Sequence, residues 1–250
     1  MFVQKGKISE SELKWKQVEP NLNLLLDPKD AIQKRLLKTG KWEPQLRRRI
    51  EMRLPPGGTF VDVGTHMGFH GLAAANCVGR GGHIIAIEPN PAIAAVLRQN
   101  VDRNCSGAQF ELYEVACADE DGQLTLFVAP RRNTGETSLC KQNASQEGAI
   151  TASYEVIARR LDSIFSVAPP SRIDVIKIDV EGAELMVLKG AIETLRRFRP
   201  VLFIEIIEYQ LKAMGTSGAE VAAFLMSQGY YLNKKVDHCN LEFTPVEFLT

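Results

Sequence analysis

A short apolar strand followed by a glycine-rich turn and an alanine-rich helix constrains the fold of this chain more than any other feature. In residues 59–75, the apolar run of residues 60–63 is broken only by Asp62. Glycines follow at Gly64, Gly68 and Gly71. A strand, a glycine turn and a helix in this order bind nucleotide-like ligands at the carboxyl end of the first strand of an open α/β sheet.

The glycine spacing and one acidic residue indicate which nucleotide this turn would bind. A dinucleotide site uses G-x-G-x-x-G, in which backbone N–H groups face a pyrophosphate, whereas Gly64 and Gly68 are spaced G-x-x-x-G. A carboxylate at Asp62 would repel a phosphate and attract an ammonium. S-adenosylmethionine carries an ammonium and a sulfonium and has no phosphate. The turn therefore favours a methyltransferase over a dehydrogenase.

Composition and charge limit the classes of partner. The chain has 250 residues, enough for one large α/β domain, and 30 basic residues balance 30 acidic ones. A net charge of zero gives no bulk attraction to nucleic acid or anionic membranes. The odd cysteine count without C-x-x-C spacing argues against a disulfide framework and a zinc site. The cysteines are Cys77, Cys105, Cys117, Cys140 and Cys239. With a polar N-terminus, these features predict a cytoplasmic protein.

The first fifty-odd residues read as an appendage to the domain. Residues 29–38 and 43–54 have amphipathic helical patterns, and the Pro-Pro-Gly-Gly of residues 55–58 ends the second helix. We expect an N-terminal helical arm over residues 1–54 and a methyltransferase domain over residues 55–250. The arm either packs across the sheet or forms a lid over the substrate or a contact in a homo-oligomer.

Beyond residue 55, strands alternate with helices, which predicts a Rossmann-like, mostly parallel seven-stranded sheet with helices on both faces. The predicted strands are residues 60–63, 83–87, 109–115, 173–179, 200–206, 230–234 and 241–243. The predicted helices are residues 69–78, 91–103, 182–198 and 219–228. Two further strands, residues 122–128 and 154–158, form a β insertion before the fourth core strand, and the polar segment 129–149 joins them. Long connections of this kind are functional or disordered.

Acidic residues follow several strands of the predicted sheet. Glu88, at the end of the second strand, is placed to accept hydrogen bonds from a ribose diol, although a solvated acid would also fit there. Asp179 ends the fourth strand and could orient a substrate hydroxyl, accept its proton or hold a divalent cation. Glu205, near the end of the fifth strand, should share a rim with Asp179. His66 lies in the glycine turn and is either structural or in contact with substrate.

Three alternatives stay open from the residues alone. Asp62 could cap a helix instead of facing a ligand. Glu184, in the first turn of a predicted helix, could interact with the helix dipole instead of a substrate. Lys177 could pair with a neighbouring acid.

Four blocks of sequence resemble the FkbM family of methyltransferases. They are FVDVGTHMG, IAIEPNP, NTGETSL and IKIDVEGAELMVLKG, in this order between about residues 59 and 205. The resemblance implies a class I methyltransferase sheet, S-adenosylmethionine as donor, and O-methylation of a hydroxyl, commonly on a sugar or natural product. It implies cofactor positions at Asp62, Gly64, Gly68, Glu88, Pro89 and Asn90, with Ala116 and Cys117 near the adenine. The family's hallmark positions are Thr137, Ser138, Asp179, Glu181 and Glu184, and all of these except Asp179 are assigned to the substrate.

The expected reaction needs a group that removes the hydroxyl proton as the methyl moves to oxygen. Asp179, Glu205 and His66 are the candidate catalytic residues, and Asp179 is the expected ligand if a divalent cation takes part. We expect a metal-free base, since no dense ligand cluster is visible in the sequence. Two rival interpretations are an NAD-dependent oxidoreductase, which shares the strand–turn–helix unit and the acid after the second strand, and a non-catalytic protein that retains the fold.

Overall fold

Strands and helices alternate along the chain, as the sequence predicts. The computed structural model describes residues 10–104 and 107–249. The strands in these residues are β1 (Lys14–Glu19), β2 (Leu22–Leu26), β3 (Thr59–Val63), β4 (His83–Ile87), β5 (Gln109–Tyr113), β6 (Ala116–Cys117), β7 (Gly122–Val128), β8 (Ala152–Arg159), β9 (Val175–Ile178), β10 (Val201–Glu205), β11 (Tyr230–Lys235) and β12 (Asn240–Pro245). The helices are α1 (Ala31–Thr39), α2 (Pro44–Arg53), α3 (Phe69–Val78), α4 (Pro91–Asn104), α5 (Lys141–Ala144), α6 (Leu161–Val167), α7 (Glu184–Lys189), α8 (Ile192–Phe198), α9 (Glu208–Ala213) and α10 (Gly218–Ser227).

A mostly parallel sheet of seven strands, counted over the described residues, lies at the centre of the fold. Its order is β11-β12-β10-β9-β3-β4-β5. Each neighbouring pair from β10 to β5 is parallel, whereas β12 is antiparallel to both β10 and β11. This arrangement confirms the predicted Rossmann-like sheet with its closing hairpin. The chain leaves β3 toward β5 and later returns to β9 on the other side, so a crevice opens between the ends of β3 and β9.

The two faces of the sheet bury two separate cores. Successive residues of a strand point to opposite faces. In β3, Val61 and Val63 pack into a core shared with α6, α7, α8 and α10, whereas Phe60 packs against α2 and α3. Burial on both faces explains why the parallel strands β3, β4, β9 and β10 are mainly apolar. Asp62 is the exception in β3, and its partner in the register of β9 is Lys177.

The helix predicted over residues 182–198 is wrong in one respect, because the structure divides it into α7 and α8. The break lies at Gly190. A β-carbon at this glycine would lie 2.0 Å from the carbonyl oxygen of Ala118. The backbone therefore passes closely over the start of the insertion, and the chain turns there instead of continuing as one helix. α5, α6 and α9 were also absent from the sequence prediction.

The predicted β insertion is present and forms a small sheet of its own. Over the described residues it contains three strands in the order β6-β8-β7. The segment between β7 and β8 is ordered locally by a 3-10 helix, Arg131–Glu136, and by α5. Residues Phe127 and Ser138 form an isolated antiparallel bridge that folds this segment back over β7. The insertion therefore presents residues 134–139 at the edge of the main sheet.

The N-terminal arm contains both helices that the sequence predicts, but it is not purely helical. β1 and β2 form an antiparallel hairpin before α1. Leu22, Leu24 and Leu26 of β2 pack with Met67 and Leu72 in one buried cluster. The arm thus shares a core with the glycine turn and α3, and the division of the chain at residue 54 stays a prediction.

A buried ion-pair group fastens α2 to the edge of the sheet. Glu242 of β12 is fully buried. Its Oε2 accepts two hydrogen bonds from the guanidinium of Arg49, and its Oε1 accepts two from the guanidinium of Arg53. The amide of Asn233 donates to the same carboxylate at 2.8 Å.

No helix in the described part of the chain combines the length and apolar character needed to cross a membrane.

Candidate functional site

The glycine turn after β3 brings two strand ends into close contact. Gly64, His66 and Gly68 all have positive φ, at 80°, 52° and 90°. A β-carbon at Gly64 would lie 1.8 Å from the carbonyl oxygen of Asp179, so only glycine allows this approach. The backbone of the turn and the end of β9 therefore form one continuous wall.

A cavity opens at this wall, along the carboxyl ends of β3, β4, β9 and β10. It encloses about 1090 Å³ when the open solvent at its mouth is included. The predicted site residues that line it are Gly64, His66, Glu88, Pro89, Ala116, Cys117, Thr137, Ser138, Asp179, Glu181 and Glu205. Eleven of the fifteen predicted site residues thus lie in the wall of this cavity.

Glu88 lies at the end of β4 and is only 6% exposed. One carboxylate oxygen accepts from the backbone N–H of His66 at 3.0 Å, and the other from that of Asn90 at 2.8 Å. Burial raises the pKa of Glu88 to about 7, although these two hydrogen bonds act in the opposite direction. Each oxygen keeps further lone pairs, so the carboxylate can accept bonds from a ligand diol.

Beside Glu88 the cavity wall is mainly apolar. It is formed there by Pro89, Val115, Ala116, Cys117 and Leu126. Cys117 is buried, and burial raises the pKa of its thiol, so the sulfur stays a neutral apolar surface. An apolar wall next to an acid suits a flat base attached to a ribose.

Lys177 is the buried cation of the site. Its Nζ lies 2.9 Å from Oδ2 of Asp179 and 3.9 Å from Oδ1 of Asp62. Burial alone would lower the pKa of Lys177, but the carboxylates of Asp179 and Asp62 outweigh burial and raise it. The ammonium therefore stays charged, and the pairing with a neighbouring acid that the sequence left open is confirmed.

Glu181 and Glu205 complete an acidic group with Asp179. One oxygen from each of these three carboxylates lies within 4.8 Å of the others. Burial raises the pKa of both Glu181 and Glu205 well above its usual value, and the charge of Asp179 raises both further. Gln210 donates to the Glu181 carboxylate. The two glutamates accordingly hold a proton more readily than ordinary surface acids do, and a cation placed between them would favour their ionised form.

His66 is held at both its backbone and its ring. Its N–H donates to Glu88, and its Nε2 lies 2.9 Å from Oγ1 of Thr134 in the insertion. Burial lowers the pKa of His66, while the charges of Asp30 and Asp179 partly oppose this shift. A neutral imidazole therefore lines the cavity at neutral pH.

The arm reaches the cavity through residues that the sequence did not indicate. Trp42 and Glu43 line it together with His70 of α3. The Glu43 carboxylate lies 2.8 Å from Nε2 of His70 and accepts from the amide of Asn240 at 3.0 Å. Burial would raise the pKa of Glu43, but the bond and charge of His70 outweigh it and lower the pKa to about 2. No local pattern marks Glu43, because its partners lie far away along the chain.

Four predicted site residues lie outside the lining of the cavity. Asp62 is buried behind it and accepts from Oγ1 of Thr65 at 2.8 Å. Gly68 begins α3, where a β-carbon would meet Leu97 at 2.3 Å. Asn90 accepts from the N–H of Ala92 at the start of α4.

Glu184 is the fourth residue outside the lining. It is 1% exposed and accepts at 3.1 Å from the N–H groups of Val180 and Gly182. Burial raises its pKa to about 7. The carboxylate thus holds the turn between β9 and α7, and contact of Glu184 with a ligand stays a prediction.

A comparison of sequences agrees with this site, which combines the strand–turn–helix unit, the acid after β4 and the acidic rim. A family model described as the methyltransferase FkbM domain matches residues 62–232. The chain belongs to the FkbM methyltransferase family. The match runs from β3 into β11, and the arm residues Trp42 and Glu43 lie outside it. The family membership confirms the resemblance seen in the sequence.

Three curated proteins each match about half of the chain. Methyltransferase 1 of Beauveria bassiana is 27% identical over 54% of this chain and 59% of its own length. Methyltransferase sdnD of Sordaria araneosa is 28% identical over 56% of this chain and 62% of its own length. The AMB antimetabolite synthetase AmbE of Pseudomonas aeruginosa is 27% identical over 55% of this chain and 8% of its own length. The chain therefore covers less than two thirds of each relative.

A solved structure of a methyltransferase FkbM from Methylobacillus flagellatus KT is also similar. It is 16% identical to this chain, with a TM-score of 0.48, and the alignment covers 85% of this chain and 52% of that one.

Proposed function

We propose that this FkbM-family chain is an S-adenosylmethionine-dependent O-methyltransferase whose acceptor is a hydroxyl of a small molecule, such as a sugar or natural product. One observation carries the proposal: five of the eight expected donor positions and the groups able to accept a proton line a single cavity. Gly64 and Glu88 line it together with His66, Asp179 and Glu205. Donor and acceptor would thus meet where a proton can be taken up.

The residues of the cavity fit the proposed donor. Glu88 would accept from the ribose hydroxyls, and the apolar wall that includes Ala116 and Cys117 would cover the adenine. Bound S-adenosylmethionine would supply an electrophilic methyl group on a sulfonium. Asp179, Glu181 and Glu205 bring three carboxyl groups to the rim. A cationic donor would favour the ionised form of Glu181 and Glu205, whereas a pyrophosphate would oppose it. The proposed selection of a cationic donor therefore rests on these three acids instead of on Asp62.

The acceptor would be oriented by Asp179. Lys177 holds one oxygen of this carboxylate, and Asp179 is itself a lining residue. A hydrogen bond from a second hydroxyl of the acceptor to this carboxylate would align the reacting oxygen with the methyl group. Thr137 and Ser138 of the insertion line the same cavity, and the arm residue Trp42 offers a flat apolar surface to a ring-shaped acceptor.

The proposal needs no divalent cation. Three carboxylates lie within reach of one another and carboxylates are suitable ligands for Mg²⁺. However, the Lys177 ammonium already supplies a positive charge 2.9 Å from Asp179 and would repel a second cation. Treatment with EDTA should therefore leave the transfer rate unchanged, and a loss that Mg²⁺ restores would require a metal at Asp179.

The proposed partners follow from the net charge and from the enclosed position of the site. We propose a small-molecule acceptor and neither a nucleic acid nor a membrane, because the net charge is zero and the candidate groups line one cavity. A cytoplasmic location and a homo-oligomer formed through the arm stay proposals. Free cysteines among the described residues, such as Cys77 and Cys140, agree with a reducing compartment.

The test has a binding arm and a transfer arm. Calorimetry should give binding of S-adenosylhomocysteine and none of NAD, with Glu88→Ala weakening the former. Transfer is then measured with methyl-labelled donor against a panel of sugars and hydroxylated natural products, with mass spectrometry of the product. NAD binding would favour the oxidoreductase. Donor binding without transfer to any acceptor would favour a non-catalytic protein that retains the fold.

A further inference from the structure

A chain of hydrogen bonds connects the N-terminal arm to the glycine turn through the insertion. Asp30, the residue before α1, uses one carboxylate oxygen to accept from the N–H of Thr134 at 2.8 Å and from its Oγ1 at 2.7 Å. Oγ1 of Thr134 in turn lies 2.9 Å from Nε2 of His66. Asp30 is fully buried and Thr134 is 6% exposed, so water does not compete for these bonds.

The direction of each hydrogen bond between Asp30, Thr134 and His66 follows from which groups can donate a proton. Three donors converge on the Asp30 carboxylate, the two from Thr134 and the N–H of Gln33 at 2.9 Å. An ionised carboxylate only accepts, so the single hydroxyl proton of Thr134 points to Asp30. The lone pairs of Oγ1 therefore face His66, and Nε2 must be the protonated ring nitrogen. In a neutral imidazole, the other nitrogen, Nδ1, then carries the lone pair.

We propose that Asp30 and Thr134 are positioning residues that hold His66 in the Nε2-protonated tautomer, so that Nδ1 accepts the proton of the acceptor hydroxyl. This inference rests on the proposed methyl transfer. The bond that forms joins the hydroxyl oxygen to the methyl carbon, and the bond that breaks is between that carbon and sulfur. The electron pair of the broken bond stays on sulfur, and the hydroxyl proton passes to Nδ1 of His66. No oxidant, reductant or metal is needed.

The surroundings of His66 agree with a neutral base. Burial lowers its pKa, and the Lys177 ammonium acts in the same direction. Asp30 and Asp179 oppose this shift, and they would stabilise the imidazolium once the proton arrives. The carboxylate of Glu88 faces the backbone N–H of His66. A ring that is neutral before transfer and flanked by carboxylates during it has the character of a general base.

The chain offers a matched pair of residues without a histidine. Asp162 accepts from the N–H of Thr194 at 2.8 Å and from its Oγ1 at 2.7 Å, which repeats the bonds between Asp30 and Thr134. Thr194 is 3% exposed and lies in α8, outside the lining of the cavity. Thr194→Val and Asp162→Asn thus remove the same kind of bond and control for a general loss of stability.

The direct test is nitrogen NMR of the full chain labelled with ¹⁵N-histidine. The signals of its four histidines are assigned by substituting each in turn. His66 should show a protonated Nε2 and an unprotonated Nδ1 at neutral pH. In Asp30→Asn only one of the two side-chain positions still accepts, so the hydroxyl proton of Thr134 is no longer held toward residue 30, and His66 should show a mixture of tautomers. Thr134→Val should give a mixture of tautomers. Thr194→Val and Asp162→Asn should change neither nitrogen of His66.

The kinetic test separates positioning from folding. His66→Ala should lower kcat by about 100-fold or more, and Thr134→Val by about tenfold with little change in KM. Removal of the Asp30 charge should move the acid limb of the pH profile to lower pH, because Asp30 raises the pKa of His66. If the Asp30→Asn variant does not fold, the kinetic test is made with Thr134→Val alone.

Two results would overturn the inference. One is a wild-type His66 that carries its proton on Nδ1, and the other is methyl transfer whose kcat is unchanged in Thr134→Val and His66→Ala. Because NMR needs neither donor nor acceptor, these results are distinct from a failure of the proposed function. That failure would leave the tautomer of His66 as described while no acceptor is methylated.

Discussion

The ammonium of Lys177 lies 2.9 Å from the carboxylate of Asp179, although Lys177 is only 3% exposed. Its strand, β9, is buried throughout and lies between β3 and β10. A lysine in such a strand is costly unless acids neutralise it. Asp179 and Asp62 do so from two sides, and the acids of the cavity rim depend in turn on this one buried cation.

Lys177→Met should destabilise the fold. Removing one partner of a buried pair costs about 3–5 kcal/mol, because the other charges are left uncompensated. Urea unfolding measures this loss of stability. Lys189→Met, at an exposed position in the last turn of α7, should change stability by less than about 0.5 kcal/mol. An equal effect of both variants would contradict the role given to Lys177.

Asp179→Asn should separate orientation of the acceptor from binding of the donor. The asparagine keeps the shape of the side chain but loses the charge that faces Lys177. We expect kcat to fall by about 100-fold because a misaligned acceptor reacts slowly. Affinity for S-adenosylhomocysteine should change by no more than about threefold, since Glu88 holds the donor. Steady-state kinetics and calorimetry together give both values. Turnover near the wild-type rate would remove Asp179 from the reaction.

The core of the fold could be predicted because burial on two faces leaves a strong local pattern. The bounds predicted for β4 and α3 agree with the structure, since apolar residues there are contiguous and turn residues border them. The hairpin β1–β2 was not predicted. Its apolar run, Leu22–Leu26, becomes a strand because it packs against α3, and that contact cannot be read from neighbouring residues.

The site was only partly predictable for the same reason. Glu88 and Asp179 follow apolar strands, so their position at the rim could be inferred from the pattern of a parallel sheet. Thr134 and Glu43 reach the cavity from the insertion and the arm, where no periodicity marks them. Asp62 follows the motif, yet the register with Lys177 places it behind the cavity wall. Whether these residues line the cavity depends on contacts between segments that are distant in the sequence.

Glu242→Gln should loosen the arm from the sheet. Glu242 is fully buried and holds both Arg49 and Arg53. Loss of its charge should cost about 3 kcal/mol. Burial acts to raise the pKa of Glu242, but its hydrogen bonds with Arg49, Arg53 and Asn233 outweigh burial and lower it. The stabilisation is therefore present above the usual pKa of glutamate and is lost as pH falls through the lowered value.

Thermal and urea unfolding across pH measure this effect of Glu242. The matched control is Glu193→Gln, which removes the charge from an exposed pair with Arg196. That pair should contribute less than about 1 kcal/mol. If Glu242→Gln unfolds at the same urea concentration as the wild type at neutral pH, α2 is held by its apolar contacts alone.

Binding of the donor should release a proton from Glu88. Burial raises the pKa of this carboxyl to about 7, so near neutral pH it is partly protonated. Hydrogen bonds from ribose hydroxyls favour the ionised form and lower the pKa. At pH near the pKa, binding of S-adenosylhomocysteine should release up to about 0.5 proton per site, and affinity should rise as pH increases through this range. Calorimetry in buffers of different ionisation enthalpy measures the released protons.

Glu184 supplies the control for this release, because burial raises its pKa to about 7 as well, while it lies outside the lining of the cavity. Glu184→Gln should keep the proton release, and Glu88→Gln should abolish it. Glu88→Gln should also weaken binding by about 10- to 100-fold, the worth of a hydrogen bond to a charged group. Release that persists in Glu88→Gln would assign the proton to another acid of the rim, and the ribose would then require a different partner.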